Sequence, residues 1–329
     1  MRATIRDVAL QAGVSIKTVS RVLNNERYVR SDTRERVQQA VRALDFHPSL
    51  AARALSGRRG FQIGLICDNP NPYYVHELQK GIRARAAADD VRLVVQPYDR
   101  AEDRLFDDIA ALIAEVRFDG LILTPPVTDR SDVLDLLLNQ GHKVVRVQPG
   151  SFENRTPATA INNRDAAEAM VARLVDFGHR RIGYVGGPAE YAVSADRERG
   201  YRLALERAGI AIEAGLICSG DFSLESGAAA AVRLIPAGVT AIFASSDSMA
   251  AGVLGEAHRQ GMRLPDDLSV AGFDDSALAS SVWPPLTTVR QPLSELGWQA
   301  ADLLLSDKTD NLCRMLPFEI IERGSVAHR

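Results

Sequence analysis

The sequence predicts a small all-α helix-turn-helix head followed by a larger α/β body made of two lobes with parallel sheets. Residues 1–60 carry 12 Lys and Arg against 5 Asp and Glu, whereas the remaining 269 carry 27 against 37. Apolar residues recur at helical spacing through the head, and short apolar segments alternate with amphipathic helical ones through the body. A basic head on an acidic body indicates that the head meets a polyanion while the body has another role.

The composition limits the class of protein before any motif is considered. At 329 residues and 46% hydrophobic, the chain can bury more than one core. Its three cysteines are far apart and form no CxxC pair, so we expect no disulfide framework, no metal site and a reducing compartment. The N-terminal segment is interrupted by charge, and no apolar run approaches the ~20 residues of a membrane helix. We therefore expect a soluble cytoplasmic protein without a metal or other cofactor.

The first two helices of the head are predicted from local signals. Residues 4–7 (TIRD) place a hydroxyl and a carboxylate at the spacing of a capping box. Gly13 supplies the positive φ of a tight turn, and Val14 fills the angle between the helices. Ser15 caps the second helix, whose inward face carries valines and a leucine. Its outward face lies where a recognition helix meets the major groove and carries Ile16, Lys17, Ser20 and Arg21.

A third helix, predicted over about 31–44, completes the head. Its apolar stripe consists of Val37, Ala40, Val41 and Leu44. A three-helix bundle with a solvated basic face fits the same spacing, so the helix pattern alone does not establish DNA binding. The net charge of +7 on residues 1–60 favours DNA, because neutralising phosphates supplies most non-specific affinity.

A short helix is predicted directly after the head, over about 49–56. Ser49 can cap it and Gly57 can end it. A helix of barely two turns is marginal in water by itself, so one interpretation is a plain linker. The other is a hinge that folds in the presence of a dimer partner and the DNA minor groove, with Leu55 as an apolar wedge between base pairs.

The body contains two successive sets of strands and helices. The strands predicted for the first set are IGLIC (63–67), RLVVQ (92–96), GLILT (120–124) and KVVRV (143–147), and its helices lie near 75–89, 103–116 and 131–140. The strands predicted for the second set are TAI (159–161), RIGYVG (181–186), GLICSG (215–220), TAIFAS (240–245) and LSVAGF (268–273), and its helices lie near 164–177, 194–208, 225–235 and 247–260. Ligands of parallel sheets bind beyond the carboxyl ends of the strands, so two facing lobes would share one cleft.

Many segments closely resemble the lactose-repressor/galactose-repressor family of bacterial regulators. In the head they are TIRDVALQAGVSIKTVSRVLNN, VRSDTRERVQQAVRALDFHPS and AARALSG. In the body they are PNPYYVHELQKGI, FDGLIL, FGHRRIGYVGGP, RERGYRLAL, FASSDSMAAG, SVAGFDDS and PPLTTVRQP. The resemblance extends over essentially the whole chain, and the head motif is highly specific.

The family resemblance implies a periplasmic-binding-protein-like body of type I, in which the chain crosses between the lobes more than once. We expect a DNA-binding domain with its hinge over 1–60 and an effector-binding and dimerisation domain over 61–329. The lobes are then expected to comprise about 61–160 plus 291–320 (lobe one) and about 161–290 plus 321–329 (lobe two).

The resemblance also implies that a homodimer binds a pseudo-palindromic operator in double-stranded DNA. Residues expected to read bases are Ile16, Lys17 and Arg21. Residues expected mostly on the DNA backbone are Ser20, Asn24, Tyr28 and Thr33. The remaining expected DNA contacts are Thr4 and Ile5 in the head and Ala52 and Leu55 in the hinge.

Strand ends and the resemblance together predict an effector cleft lined by polar and aromatic side chains. From the first lobe these are Asp68, Tyr73, Tyr74, Thr124 and Gln148. From the second lobe they are Arg197, Phe222, Ser246, Asp247 and Asp274, with Gln291 near the crossover. Carboxylates and arginine can bridge neighbouring sugar hydroxyls while an aromatic ring packs on the apolar face. We expect a sugar, oligosaccharide or glucoside effector; the alternative is a corepressor with a nucleobase or phosphate.

Some of these residues also have a purely structural interpretation. Asp247 can simply cap its helix, and Asp275 can do the same after its strand. Three sites differ from the family pattern: Ser246 replaces the usual Asn, Asn162-Asn163 replaces an Asp-Asn pair, and Gln148 replaces a frequent Asp. These differences make the first lobe less anionic and leave the ligand class open.

An enzyme is the main alternative from another class of protein. The chain has no GxGxxG, GxxxxGK[ST] or GxSxG motif. His76-Glu77 begins like the zinc motif HExxH, but Lys80 stands in place of its second histidine. A periplasmic sugar-binding protein would share the body but lack the head. We therefore expect a ligand-responsive regulator, most simply a repressor, in which the ligand changes the arrangement of the lobes.

Overall fold

In the computed structural model, the described residues of the head form three short helices around one apolar core. They are α1 (Ile5–Ala12), α2 (Ile16–Leu23) and α3 (Ser31–Ala43). In the capping box, Asp7 Oδ2 accepts from the backbone N–H and the hydroxyl of Thr4, each at 2.8 Å. Gly13 adopts φ 64°, and Ser15 Oγ accepts from the Thr18 amide at 3.1 Å. The predicted start of both helices and the turn between them are confirmed.

The structure describes residues 3–23, 26, 28–46, 60–68, 71–98, 104–151, 155–306 and 313–329. Contacts divide the chain into two units, Met1–Phe61 and Gln62–Arg329, and each is described by itself. The predicted DNA contact Asn24 and the whole predicted hinge, with Ala52 and Leu55, lie outside the described residues.

The body alternates strands and helices throughout. Its strands are β1 (Gln62–Cys67), β2 (Arg92–Pro97), β3 (Gly120–Leu123), β4 (Val144–Val147), β5 (Ala158–Ala160), β6 (Ile182–Gly186), β7 (Ile217–Ser219), β8 (Ala241–Ala244), β9 (Ser269–Asp274), β10 (Thr287–Arg290), β11 (Cys313–Met315) and β12 (Glu319–Ile321). Its helices are α4 (Pro72–Ala87), α5 (Leu105–Glu115), α6 (Ser131–Asn139), α7 (Asn163–Asp176), α8 (Ala192–Arg207), α9 (Leu224–Leu234), α10 (Asp247–Arg259), α11 (Ala277–Ser281) and α12 (Leu293–Leu305).

The strands form two six-stranded sheets, and each sheet with its helices is one lobe. The first lobe has the strand order β2-β1-β3-β4-β5-β11 and is parallel throughout. The second has the order β7-β6-β8-β9-β10-β12, in which only the pairing of β10 with β12 is antiparallel. The central strands β1, β3, β6, β8 and β9 are buried along nearly their whole length. Such burial is typical of parallel sheets whose two faces are covered by helices. The predicted α/β body of two parallel-sheet lobes is confirmed.

One strand was predicted in the wrong set. The TAI segment was grouped with the second set of strands, but β5 pairs with β4 and β11 in the first sheet. The pairing is fixed by backbone hydrogen bonds such as that from the Gln148 amide to the Thr159 carbonyl at 2.8 Å. A three-residue apolar run predicts a strand but not its neighbour, because the neighbour depends on tertiary packing.

The chain passes between the two sheets more than once. It leaves the first sheet after β5, returns to it with α12 and β11, and rejoins the second sheet with β12. Helix α12 packs tightly against α4 on the first sheet. The two lobes are therefore joined by more than one segment of the chain.

Candidate functional site

A small cleft lies between the lobes, at the carboxyl ends of the strands. The residues of its wall end a strand, lie in the loop after a strand or stand in the first turns of the next helix, as parallel sheets require. The lining residues are Asn71, Tyr74, Pro125, Gln148, Tyr191, Val193, Arg197, Phe222, Ser246 and Asp274. The geometry therefore places both polar and aromatic groups around one small enclosed space.

The structure brings most of the predicted cleft residues together. Those that line the cleft are Tyr74, Gln148, Arg197, Phe222, Ser246 and Asp274. Gln291 lies directly behind them, where its amide nitrogen donates to Asp274 Oδ1 at 2.6 Å. Ser246 is also the N-cap of α10, since its Oγ accepts from the Met249 amide at 3.2 Å.

A directed chain of hydrogen bonds connects Arg197 to Asp274. The Arg197 Nε donates to the Asn163 side-chain oxygen at 3.0 Å, and the Asn163 amide nitrogen donates to Gln148 Oε1 at 3.0 Å. The Gln148 amide nitrogen donates to Gln291 Oε1 at 2.8 Å, and Gln291 donates in turn to Asp274. Because a guanidinium can only donate and a carboxylate accepts, the two ends fix the orientation of all three amides.

The two charged ends of this chain are buried in the second lobe. The Arg197 guanidinium lies 3.7 Å from the centre of the Phe273 ring and donates to the Ser245 carbonyl at 2.6 Å. Burial lowers the pKa of Arg197, although a guanidinium remains charged. Burial raises the pKa of Asp274 to about 6, while the nearby Arg197 charge and hydrogen bonds from Gln291 and Asn71 oppose this shift. The cation and the anion largely balance each other.

Backbone strain is concentrated beside the cleft. Residues with positive φ there are Gln148 (52°), Phe222 (68°), Asp274 (123°) and Asp275 (54°). Side chains other than glycine rarely adopt such angles, and each instance costs about 1–3 kcal/mol. The hydrogen bonds of Gln148 and Asp274 hold two of these conformations in place. Strain of this kind gathers at ligand sites, which supports a binding role for the cleft.

Asp247 does not line the cleft, contrary to the prediction. It is fully buried, and its carboxylate accepts from the Ser276 amide (2.7 Å), the Ser276 hydroxyl (3.0 Å) and the Thr288 hydroxyl (2.6 Å). Ser246 supplies the cap of α10, so capping is not its role either. Asp247 instead joins the start of α10 to β10 and to the residue before α11. Asp275 likewise makes ion pairs, with Arg290 and Arg323, rather than a cap.

Three predicted first-lobe residues also lie outside the cleft lining. Thr124 is buried and donates its hydroxyl to the Ile66 carbonyl at 3.2 Å, which ties β3 to β1. Tyr73 is 37% exposed, because at the second position of α4 its side chain faces solvent instead of the cleft. Asp68 contributes its backbone carbonyl, which accepts from the Tyr191 hydroxyl at 2.5 Å. Strand-end position alone did not show which way these side chains point.

The sequence analysis did not single out four of the lining residues. These are Asn71, Pro125, Tyr191 and Val193. Asn71 carried a local signal that went unused, because an asparagine directly before a proline is typical of a helix N-cap. In the structure its side-chain oxygen accepts from the Tyr73 amide at 3.1 Å, and its amide nitrogen donates to Asp274 Oδ2 at 3.0 Å.

The second helix of the head presents the predicted base-reading residues to solvent. Ile16 is 46% exposed, and Lys17 and Arg21 are exposed beside it. Arg21 lies 3.5 Å from Glu26, an exposed pair that contributes little to stability. Of the predicted backbone contacts, Tyr28 is almost fully exposed and Ser20 and Thr33 are half-buried. Thr4, in the capping box, is exposed, and Ile5 is half-buried at the edge of the core.

Within 3–23, 26, 28–46, 60–68, 71–98, 104–151, 155–306 and 313–329, no group of three His, Cys, Asp or Glu side chains could hold a metal ion. In the same part of the chain, no helix is long and apolar enough to cross a membrane.

Comparison with known proteins identifies the family. Residues 4–49 match the model for bacterial regulatory proteins of the lacI family, and residues 171–326 match a periplasmic binding protein-like domain. The HTH-type transcriptional repressor CytR of Escherichia coli K12 is 34% identical over 98% of this chain and 96% of its own length. The ribose operon repressor of the same strain is 32% identical over 98% of this chain and its own full length.

A solved structure supports the same assignment over the full length. The lac repressor dimer bound to operator and the anti-inducer ONPF has a TM-score of 0.85 at 28% identity, covering 99% of this chain and all of that one. These relatives are transcriptional repressors rather than enzymes. The chain therefore belongs to the lacI family of bacterial regulatory proteins and is a ligand-responsive, DNA-binding transcriptional regulator.

Proposed function

We propose that the chain is a repressor that a neutral, hydroxyl-rich effector, most simply a sugar, releases from its operator. The charge balance of the cleft carries this proposal. Among the lining residues, charge is supplied by Arg197 and Asp274, which offset each other within the same lobe. A phosphorylated effector would need a net positive pocket, whereas a neutral polyol needs donors and acceptors side by side.

The other lining groups support the same ligand class. Asp274 can accept from a sugar hydroxyl and Arg197 can donate to one. The buried Tyr74 hydroxyl has no hydrogen-bond partner among the described residues, and a buried polar group of this kind is normally satisfied by a ligand or water. Tyr191 and Phe222 meet edge to face at 5.2 Å and provide an apolar surface for a sugar ring.

On the DNA side, we infer that a homodimer binds a pseudo-palindromic operator. Ile16, Lys17 and Arg21 would reach base edges in the major groove, and the half-buried or exposed residues around them would contact phosphates. A symmetric dimer would place two such helices on one duplex. The predicted hinge would add the minor-groove contact of Leu55. Binding to chromosomal DNA also supports a cytoplasmic location.

We infer that effector and operator are coupled through the arrangement of the lobes. An effector that prefers one arrangement shifts the population toward it, and the change in operator affinity cannot exceed its differential affinity for the two arrangements. Coupling of about 1–3 kcal/mol, typical of allosteric proteins, would change operator affinity about 5- to 150-fold.

The test is fluorescence anisotropy of a labelled operator selected from random duplexes, measured at fixed salt. Neutral ligands (ribose, cellobiose, cytidine) and ribose 5-phosphate are titrated separately. We expect at least one neutral sugar to lower the anisotropy and the phosphate to have no effect. Asp274→Ala should remove the response but keep operator affinity. Glu213→Ala, which removes an exposed carboxylate paired with Arg181, should behave like the wild type. A response to the phosphate alone, or a full response in Asp274→Ala, would contradict the proposal.

A further inference from the structure

Atoms of the protein itself join the two lobes directly across the cleft. The Asn71 amide nitrogen of the first lobe donates to Asp274 Oδ2 of the second at 3.0 Å. The Tyr191 hydroxyl of the second lobe donates to the Asp68 carbonyl of the first. Each of these hydrogen bonds joins an atom of one lobe to an atom of the other, so both must break when the lobes separate.

The Asn71 side chain is held ready for this contact by its second role. Its oxygen caps α4 by accepting from the Tyr73 amide, which fixes the side-chain rotamer and directs the amide nitrogen toward Asp274. The residue is 3% exposed, so the hydrogen bond is shielded from water. A preorganised donor to a buried carboxylate loses little entropy on forming its bond, and hydrogen bonds to charged groups are stronger than average.

The two oxygens of Asp274 have different partners. Gln291 donates to Oδ1 at 2.6 Å, and Asn71 donates to Oδ2 from the opposite lobe. Asp274 also lines the cleft, so the contact that joins the lobes is made by the same carboxylate that an effector would contact. Because each carboxylate oxygen can accept more than one hydrogen bond, an effector hydroxyl can bind Asp274 while the Asn71 contact persists.

We propose that Asn71 is a closure latch: it holds the two lobes together through Asp274 before an effector binds. This inference rests on the proposed function of the cleft and extends it to the regulation of closure.

The test uses the rate at which a thiol inside the cleft becomes accessible. Ser246 lines the cleft and is 2% exposed, so Ser246→Cys reports opening when a maleimide reagent is added. The half-buried Cys313 is changed to serine, while the buried Cys67 and Cys218 stay as internal controls for unfolding. Labelling of each thiol is followed by mass spectrometry. A thiol that reacts only in the open form labels in proportion to the population of that form.

Asn71→Ser separates the latch from the cap, because serine caps a helix as well as asparagine but cannot span the cleft. We expect labelling of the reporter to rise about tenfold or more, the factor that corresponds to losing a hydrogen bond to a charged group. Asn162→Ser is the matched control: Asn162 caps α7, but its amide donates to Asp165 of the same helix. That variant should label at the wild-type rate. Tyr191→Phe, which removes the second bridge, should also raise the rate.

An unchanged reporter rate in Asn71→Ser would overturn the proposal, whatever the rate in Tyr191→Phe. So would an equal increase in Asn162→Ser, or a parallel increase at Cys67 and Cys218, because either result would indicate general loosening. The measurement requires neither operator nor effector. If the labelling experiment fails, the proposed function as an effector-released repressor is unaffected. If the anisotropy experiment shows no response to sugars, the proposed latch is unaffected.

Discussion

Replacing Asp247 by alanine should destabilise the second lobe while leaving effector affinity nearly unchanged. Three donors converge on its carboxylate: the amide and the hydroxyl of Ser276 and the hydroxyl of Thr288. All of these residues are buried, so water cannot readily replace the lost acceptor. The carboxylate holds α10, β10 and the residue before α11 in register.

The size of the effect follows from these contacts. A buried donor left without its acceptor costs about 1–3 kcal/mol. The Ser276 amide cannot turn away and is expected to bear the full cost, whereas the two hydroxyls can rotate and bear less. Burial and the neighbouring Asp274 raise the pKa of Asp247, so its removal also relieves some repulsion. The net loss expected is about 3 kcal/mol, a large share of the stability of an ordinary domain.

The assay is urea unfolding of the full chain, with the anisotropy titration as the functional readout. Thr288→Val is the graded control, because it removes the donor to Oδ1 and leaves both Ser276 donors on Oδ2. It should cost about 1–2 kcal/mol, less than the loss of the whole carboxylate. The double variant should lose less unfolding free energy than the sum of the two single losses, because both changes remove the same hydrogen bond between Thr288 and Asp247. If Asp247→Ala kept its full stability but lost the effector response, Asp247 would be a ligand contact and not a structural residue.

Three other predictions concern separate parts of the chain. Burial raises the pKa of Asp274 to about 6, above the ordinary 3.8, so the folded state binds a proton that the unfolded state releases. As the pH rises from 4 to 7, the wild type should therefore lose up to roughly 3 kcal/mol of unfolding free energy relative to Asp274→Asn. Urea midpoints that change in parallel with pH for the two proteins would contradict this. Gly227→Ala should cost about 1–3 kcal/mol because its methyl group would clash with the Met249 backbone. Gly255→Ala has open space around the new methyl group and should stabilise the protein by up to about 1 kcal/mol. Thermal unfolding of both variants measures these changes. Arg21→Ala should weaken operator binding at least tenfold and relax base preference; an equal loss on random duplexes would mean that Arg21 contacts only phosphates.

Local sequence signals were sufficient for the head. The capping box at Thr4, the positive φ at Gly13 and the cap at Ser15 all depend on residues within four positions of one another. Such interactions form in any context that allows the helix, so the sequence alone locates them. The strands and helices of the body are predictable for the same reason, because the spacing of apolar residues within each segment indicates its secondary structure.

The cleft was predictable only in part. Strand ends and the family resemblance together drew attention to Tyr74, Arg197 and Asp274, which line the cleft in the structure. The same criteria also selected Thr124 and Asp247, whose side chains point into the protein. Strand-end position fixes where a residue is, whereas the direction of its side chain depends on the neighbours that pack around it.

By itself, the sequence determined the class of the protein: a basic helix-turn-helix head, a two-lobed α/β body and the family to which both belong. The tertiary structure decided which groups meet across the cleft. Asn71 and Asp274 are 203 residues apart and form one hydrogen bond, and β5 joins the first sheet instead of the second. The physical reason is that a buried polar group must find a partner, and that partner is set by which distant segments the packed lobes bring together.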